Sequence, residues 1–109
     1  LATAICAKPP TDAVLAWMAG AFINSSARVS STLGELAHLD QRDMMMALEI
    51  PILSIICGQD GFVSPDISRW VAENHPRATG VEFPDSGHAP FIEAREGYLA
   101  ALNDFISHL

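Results

Sequence analysis

At 109 residues the chain is long enough for one small domain and too short for two. Half of its residues are hydrophobic, which excludes a disordered tail. The net charge of −7, with six Lys and Arg placed singly, excludes a phosphate-binding surface for nucleic acid and offers an anionic membrane nothing.

No apolar run approaches the roughly 20 residues of a membrane span, and the segment before Ala7 has no basic flank in front of it. A soluble, cytoplasmic protein is therefore expected. Two cysteines, Cys6 and Cys57, are too few for a disulfide framework or a zinc site, which takes about four ligands, and both read as small core residues. The first residue is Leu1 rather than methionine, so the chain is expected to be cut from something longer.

In chain order, Pro9-Pro10 is a stop and Thr11-Asp12 a helix N-cap, after which Val14, Leu15, Met18 and Phe22 recur at helical spacing. Asn24-Ser25-Ser26 breaks that helix. Val29, Leu33 and Leu36, with Ala37 or Leu39, predict a second helical face, capped by Ser30 or Ser31, and residues 40–48 predict a third, methionine-rich piece. Met44, Met45 and Met46 in a row cannot all face one way, and they read as flexible filler.

The stretch Ile50-Pro51-Ile52-Leu53-Ser54-Ile55-Ile56-Cys57 is apolar except for Ser54 within the strand proper, with Pro51 at its entry. A near-continuous run of this kind predicts a parallel strand covered on both faces. It ends in Gly58-Gln59-Asp60-Gly61, and ligands of open parallel sheets collect outside such strand ends. Ser64-Pro65-Asp66 then starts a helix that should stop at Asn74-His75-Pro76. A second strand is expected over 80–84, followed by the polar turn Asp85-Ser86-Gly87-His88. From Phe91 onward, Tyr98, Leu102, Phe105, Ile106 and Leu109 step along one face of a single helix. Helices, strand, helix, strand, helix is the wiring of a parallel α/β sheet.

Taken together, Ile50-Pro51-Ile52-Leu53, Gly58-Gln59-Asp60, Ser64-Pro65, Pro84-Asp85-Ser86-Gly87-His88 and Glu93, with the lead-in Asp40-Gln41-Arg42, resemble the C-terminal third of an α/β-hydrolase. The resemblance covers residues 39–109. It implies an α/β fold class with two parallel strands and flanking helices, residues 49–109, preceded by a helical lid-like segment, residues 1–48. It implies further that Asp60 is the acid and His88 the general base of a nucleophile–His–acid triad, with no cofactor. Two positions depart from the family. Its acid turn commonly reads Gly-x-x-Asp-x-x-x-Pro, which puts the acid at Gly61, so either the turn is rebuilt with Asp60 still reaching His88 or the acid has been lost. Arg95 stands where the family has a structural proline after Glu93.

The chemistry explains these residue types directly. A neutral imidazole takes a proton from a hydroxyl nucleophile, and a carboxylate on its other nitrogen fixes the tautomer and stabilises the imidazolium. The nucleophile is missing: Gly-x-Ser-x-Gly, the strained elbow that presents such a serine, does not occur in this chain. Plainer readings stand beside each residue. Asp60 among glycines could be a turn former bonding its own backbone. Asp85 reads as a solvated turn residue, His38, His75 and His108 as surface histidines, and Trp17, Phe22 and Trp70 as packing residues, with Trp17 and the methionines as possible lining for an acyl pocket. A metal site from Asp60, His75, Asp85 and His88 has no ligand spacing to support it.

The function expected is hydrolysis of a small, mainly apolar carboxylic ester or related acyl compound, with this chain supplying two members of a triad and inactive alone. The alternative is a non-catalytic interaction module derived from a hydrolase fold. Two strands cannot protect both faces and both edges of a sheet, so either a missing N-terminal half or self-association through strand edges is expected to complete it.

Overall fold

The computed structural model describes residues 5–26 and 33–109. Two compact units divide the chain, residues 11–48 forming one and residues 49–109, with the described part of the first ten residues, forming the other.

In the first unit, helix α1 (Asp12–Ile23) opens on Thr11, whose hydroxyl accepts the Val14 N–H at 3.4 Å, and closes on Asn24, whose backbone and side-chain N–H groups both reach the Gly20 carbonyl. Trp17, read as a packing residue, is 66% exposed on it. The second helical face is corrected in type. Residues 27–32, with Val29, Ser30 and Ser31, lie outside the described residues, and Leu33–His38 forms a 3-10 helix. Leu33, Leu36 and Leu39 recur every three residues, the period of that tighter helix. Helix α2 (Arg42–Met46) is only five residues long, and Met44 and Met46 are exposed. Asp40 precedes it, accepting the Arg42 N–H at 3.1 Å and pairing with the Arg42 guanidinium, which holds its carboxyl at about 2.

The second unit is built on two parallel strands, β1 (Ile52–Cys57) and β2 (Ala78–Phe83), in register from Ile52 opposite Ala78 to Cys57 opposite Phe83. Strand β2 starts two residues earlier than its sequence suggests, because Ala78 and Thr79 pair with Ile52 and Leu53. Between the strands runs helix α3 (Pro65–Asn74), with Ser64 as cap, Pro65 in its first turn and an extended His75 at its end. The helix lies on the face carrying Ser54, Ile56 and Gly80. Ser54 donates its hydroxyl to the Ser68 carbonyl at 2.7 Å, which satisfies a polar group buried in the strand. A Cβ on Gly80 would come 2.7 Å from the Cβ of Ala72, so the glycine sets how closely helix and sheet approach. Arg69 reaches from the helix to Glu82 of β2 at 2.7 Å.

After β2 the expected single helix is two: α4 (Pro90–Glu93) and α5 (Arg95–Ser107), separated at Ala94, whose backbone (φ −132°, ψ 43°) is not helical. Gly97 brings α5 against Phe83. Tyr98, Leu102 and Phe105 are half-buried along it, but Ile106 and Leu109 are exposed.

The expectation that β1 is covered on both faces is not met. Ser54, Ile56 and Cys57 are buried, whereas Ile52, Leu53 and Ile55 are only half-buried. Among the described residues the sheet has two strands and no large side chain is completely enclosed. His75 is the opposite correction. Expected at the surface, it is 3% exposed, and its Nδ1 accepts the Arg77 N–H at 3.1 Å between α3 and β2.

Candidate active site

The turns that leave β1 and β2 lie side by side because the strands are parallel and in register. Backbone bonds lace them together: the Gly58 N–H donates to the Phe83 carbonyl at 3.0 Å and the Gln59 N–H to the Ser86 carbonyl at 2.9 Å. Gly58 has no room for a side chain, since a Cβ there would run into the backbone of Pro84. Close approach of these two backbones brings Asp60 and His88, 28 residues apart, into contact.

His88 Nδ1 and Asp60 Oδ2 are 2.8 Å apart. Asp60 uses its other oxygen differently: Oδ1 accepts the Phe62 N–H at 2.8 Å and the Val63 N–H at 3.0 Å. The turn-forming and His-pairing readings of Asp60 are therefore both realised, one on each oxygen. Gly61, where the family pattern would put an acid, contributes no side chain. Burial pushes the Asp60 pKa upward, but the Val63 N–H, the His88 ring and the Phe62 N–H outweigh it and hold the carboxyl below its ordinary value of 3.8. A carboxylate facing Nδ1 places the neutral ring's proton on that nitrogen and leaves Nε2 as the acceptor.

The pair is asymmetrically exposed: the Asp60 side chain is 10% accessible and that of His88 44%. Among the described residues nothing hydrogen-bonds Nε2, which is where a hydroxyl would have to come to lose its proton. The Phe62 ring stands 5.6 Å from the imidazole, tilted by 40°. Asp85 is exposed in the same turn. The two thiols are poor nucleophiles. Cys6 and Cys57 are buried, and burial raises both pKa values, with Glu93 adding at Cys6 and Asp60 and Glu93 at Cys57. No group of three or more His, Cys, Asp and Glu side chains among the described residues is arranged to hold a metal ion.

Two contributions to the site escape sequence reasoning. The His88 N–H donates to the Ile5 carbonyl at 2.7 Å, a main-chain bond that no side-chain pattern signals. Glu93, seen in the sequence only as part of a motif, places its carboxylate between residues 7–8 and the Ser86-Gly87 turn.

A carboxylate and an imidazole meet on adjacent turns outside the carboxyl ends of two parallel strands. Comparison with known proteins makes the chain a relative of the α/β-hydrolases, matched in their C-terminal region. The pimeloyl-[acyl-carrier protein] methyl ester esterase of Chromobacterium violaceum is 30% identical over 74 residues, 68% of this chain and 29% of that protein. The esterase of the same name from Aeromonas hydrophila is 27% identical over 90 residues, 83% of this chain and 35% of the other. The proline iminopeptidase of Heyndrickxia coagulans is 28% identical over 79 residues, 72% of this chain and 27% of the other. The chain spans less than a third of the length of the first of these relatives. No family profile and no solved structure matches it.

Proposed function

We propose that this chain carries the general base, His88, and the acid, Asp60, of a nucleophile–His–acid hydrolase acting on a small, mainly apolar carboxylic ester or related acyl compound. The observation that carries the reading is the 2.8 Å contact between His88 Nδ1 and Asp60 Oδ2, with the ring's other edge open to solvent. In the reaction His88 Nε2 takes the proton of an attacking hydroxyl and returns it to the leaving alcohol. Asp60 holds the tautomer and stabilises the imidazolium, and an acyl-enzyme forms and is hydrolysed. Esterases and peptidases both occur among the relatives. The Phe62 ring against the His88 imidazole favours the ester of an apolar acid.

The nucleophile and the oxyanion hole come from outside these 109 residues, since the chain has no Gly-x-Ser-x-Gly elbow and its thiols are buried. The open edge of β1 is completed either by that outside element or by a second copy of the chain, which could cover the edge but not supply the nucleophile. On this reading the 109 residues alone are inactive.

The test is hydrolysis of p-nitrophenyl acetate and butyrate by a polypeptide of measured intact mass. A polypeptide heavier than 11.7 kDa should turn both esters over and lose that activity on His88→Ala. Undiminished turnover by His88→Ala would overturn the assignment. The second reading, a hydrolase-like module retained for its surfaces, is favoured by the half-exposed sheet and gains if the heavier polypeptide is inert.

A further inference from the structure

We propose that Glu93 is the positioning residue of this site, a carboxylate that sets the height of the His88 imidazole against Asp60 by tying the His88 turn to residues 5–8. The inference rests on the reading of His88 and Asp60 as base and acid, and adds to it the group that holds the base in place. Glu93 engages donors on both sides. Its Oε2 accepts the Gly87 N–H at 2.8 Å and the Ser86 hydroxyl at 3.2 Å; its Oε1 accepts the Ala7 N–H at 2.6 Å and the Lys8 N–H at 3.4 Å. Bonds to an ionised acceptor are stronger than neutral ones, so this is a firm link between segments 86 residues apart in sequence.

Two further observations show that the link acts on His88 itself. The His88 N–H donates to the Ile5 carbonyl at 2.7 Å, so the histidine's own backbone is docked on the segment that Glu93 grips two residues further on. Gly87 touches that segment so closely that a Cβ would lie 2.6 Å from both the Ala7 nitrogen and the Ile5 oxygen. The turn is thus held by Gly87 and His88 directly against residues 5–7, and through the Glu93 carboxylate to residues 7–8. Among the described residues the one side-chain bond on the imidazole is that to Asp60, and its length depends on where this turn sits. The kink at Ala94 follows Glu93 directly, and α5 starts afresh beyond it.

Glu93→Gln keeps the shape of the side chain but turns one of its two acceptors into a donor facing backbone N–H groups. The experiment is nitrogen-edited NMR of the histidine rings in the 15N-labelled full chain, which reports which ring nitrogen bears the proton and whether the His88 Nδ1–H is held in a hydrogen bond. Glu93→Gln should convert His88 from a single Nδ1–H form with a downfield proton to a mixture of tautomers without it, while the amides of β1 and β2 keep their shifts. A Glu93→Gln spectrum with the His88 signals unchanged would overturn the proposal.

Asp60→Asn in the same chain separates the two claims. If Asp60→Asn disturbs the His88 ring and Glu93→Gln does not, Glu93 fails alone; if neither disturbs it, the base–acid reading fails as well. Should Glu93→Gln not fold, the unsubstituted chain answers. Scalar couplings across the hydrogen bonds from the Ala7 and Gly87 amide nitrogens to the Glu93 carboxyl carbon should be observed, and their absence would overturn the link.

Discussion

Asp60 carries a pH dependence whose sign follows from its environment. Its carboxyl is held below the ordinary value of 3.8, so the folded chain binds this proton less readily than the unfolded chain does. The resulting stabilisation is fully present above about pH 4 and is lost as pH falls through the lower, folded value. Thermal melts between pH 7 and pH 3 should therefore show a shallower acid decline in Asp60→Asn than in the unsubstituted chain, and an equal decline would mean that the carboxylate gains nothing on folding. In a polypeptide with ester-hydrolase activity, Asp60→Asn should lower kcat by about 10⁴, the magnitude known when a triad acid is neutralised in place. At this scale the sequence was half legible. Gly58-Gln59-Asp60 and Ser86-Gly87-His88 marked the two residues by their strand ends, but a one-residue offset from the family pattern left the acid open. Side-chain reach settles the contact, and reach is a property of the folded turn: Oδ1 anchors on Phe62 and Val63 and so aims Oδ2 at the ring. His75 shows the reverse, a polar residue at a helix end that is buried and accepts a main-chain N–H from two residues away.

Between β1, α3 and β2 the fit is set by small residues. Gly80 is the sensitive position: an alanine there meets the Cβ of Ala72 at 2.7 Å and Ile56 Cδ1 at 3.4 Å, so α3 must move away from the sheet. Gly80→Ala should lower stability by about 1–3 kcal/mol, the usual range for overpacking, read as a fall in the denaturation midpoint at unchanged m-value. A neutral result would mean that α3 is free to slide. The bounds of β1 and α3 were legible because proline and serine punctuate them: Pro51 before the strand, Ser64-Pro65 at the helix start and His75-Pro76 at its end. The break between α4 and α5 was not, since the apolar spacing from Phe91 to Leu109 runs through it without interruption and Ala94 is a good helix former.

For the molecule as a whole, the open sheet is the dominant fact. The N–H groups of Ile52 and Gly58 point toward β2, so those of Leu53, Ile55 and Cys57 lie on the other edge, where no strand pairs with them among the described residues. A two-stranded sheet with such an edge is marginal in water and templates further pairing. The net charge of −7 opposes that association without supplying the missing bonds. Sedimentation velocity at micromolar concentration should find the 109-residue chain self-associated, and its thermal transition should depend on concentration. A monodisperse monomer with a cooperative, concentration-independent melt would show that the edge needs no cover. No described helix is long and apolar enough to cross a membrane.

What the sequence by itself determined is local: where β1 and α3 begin and end, which strand ends carry a carboxylate and an imidazole, and the family resemblance that their order conveys. These follow from neighbours in the chain, through proline and glycine backbone limits, caps and apolar periodicity. Only the tertiary structure decided that Asp60 meets His88 across 28 residues, that Glu93 joins the His88 turn to residues 7–8, and that β1 is covered on one side more than the other. Those outcomes depend on the parallel register of two strands and on main-chain donors of distant segments, and neither leaves a pattern in residue type.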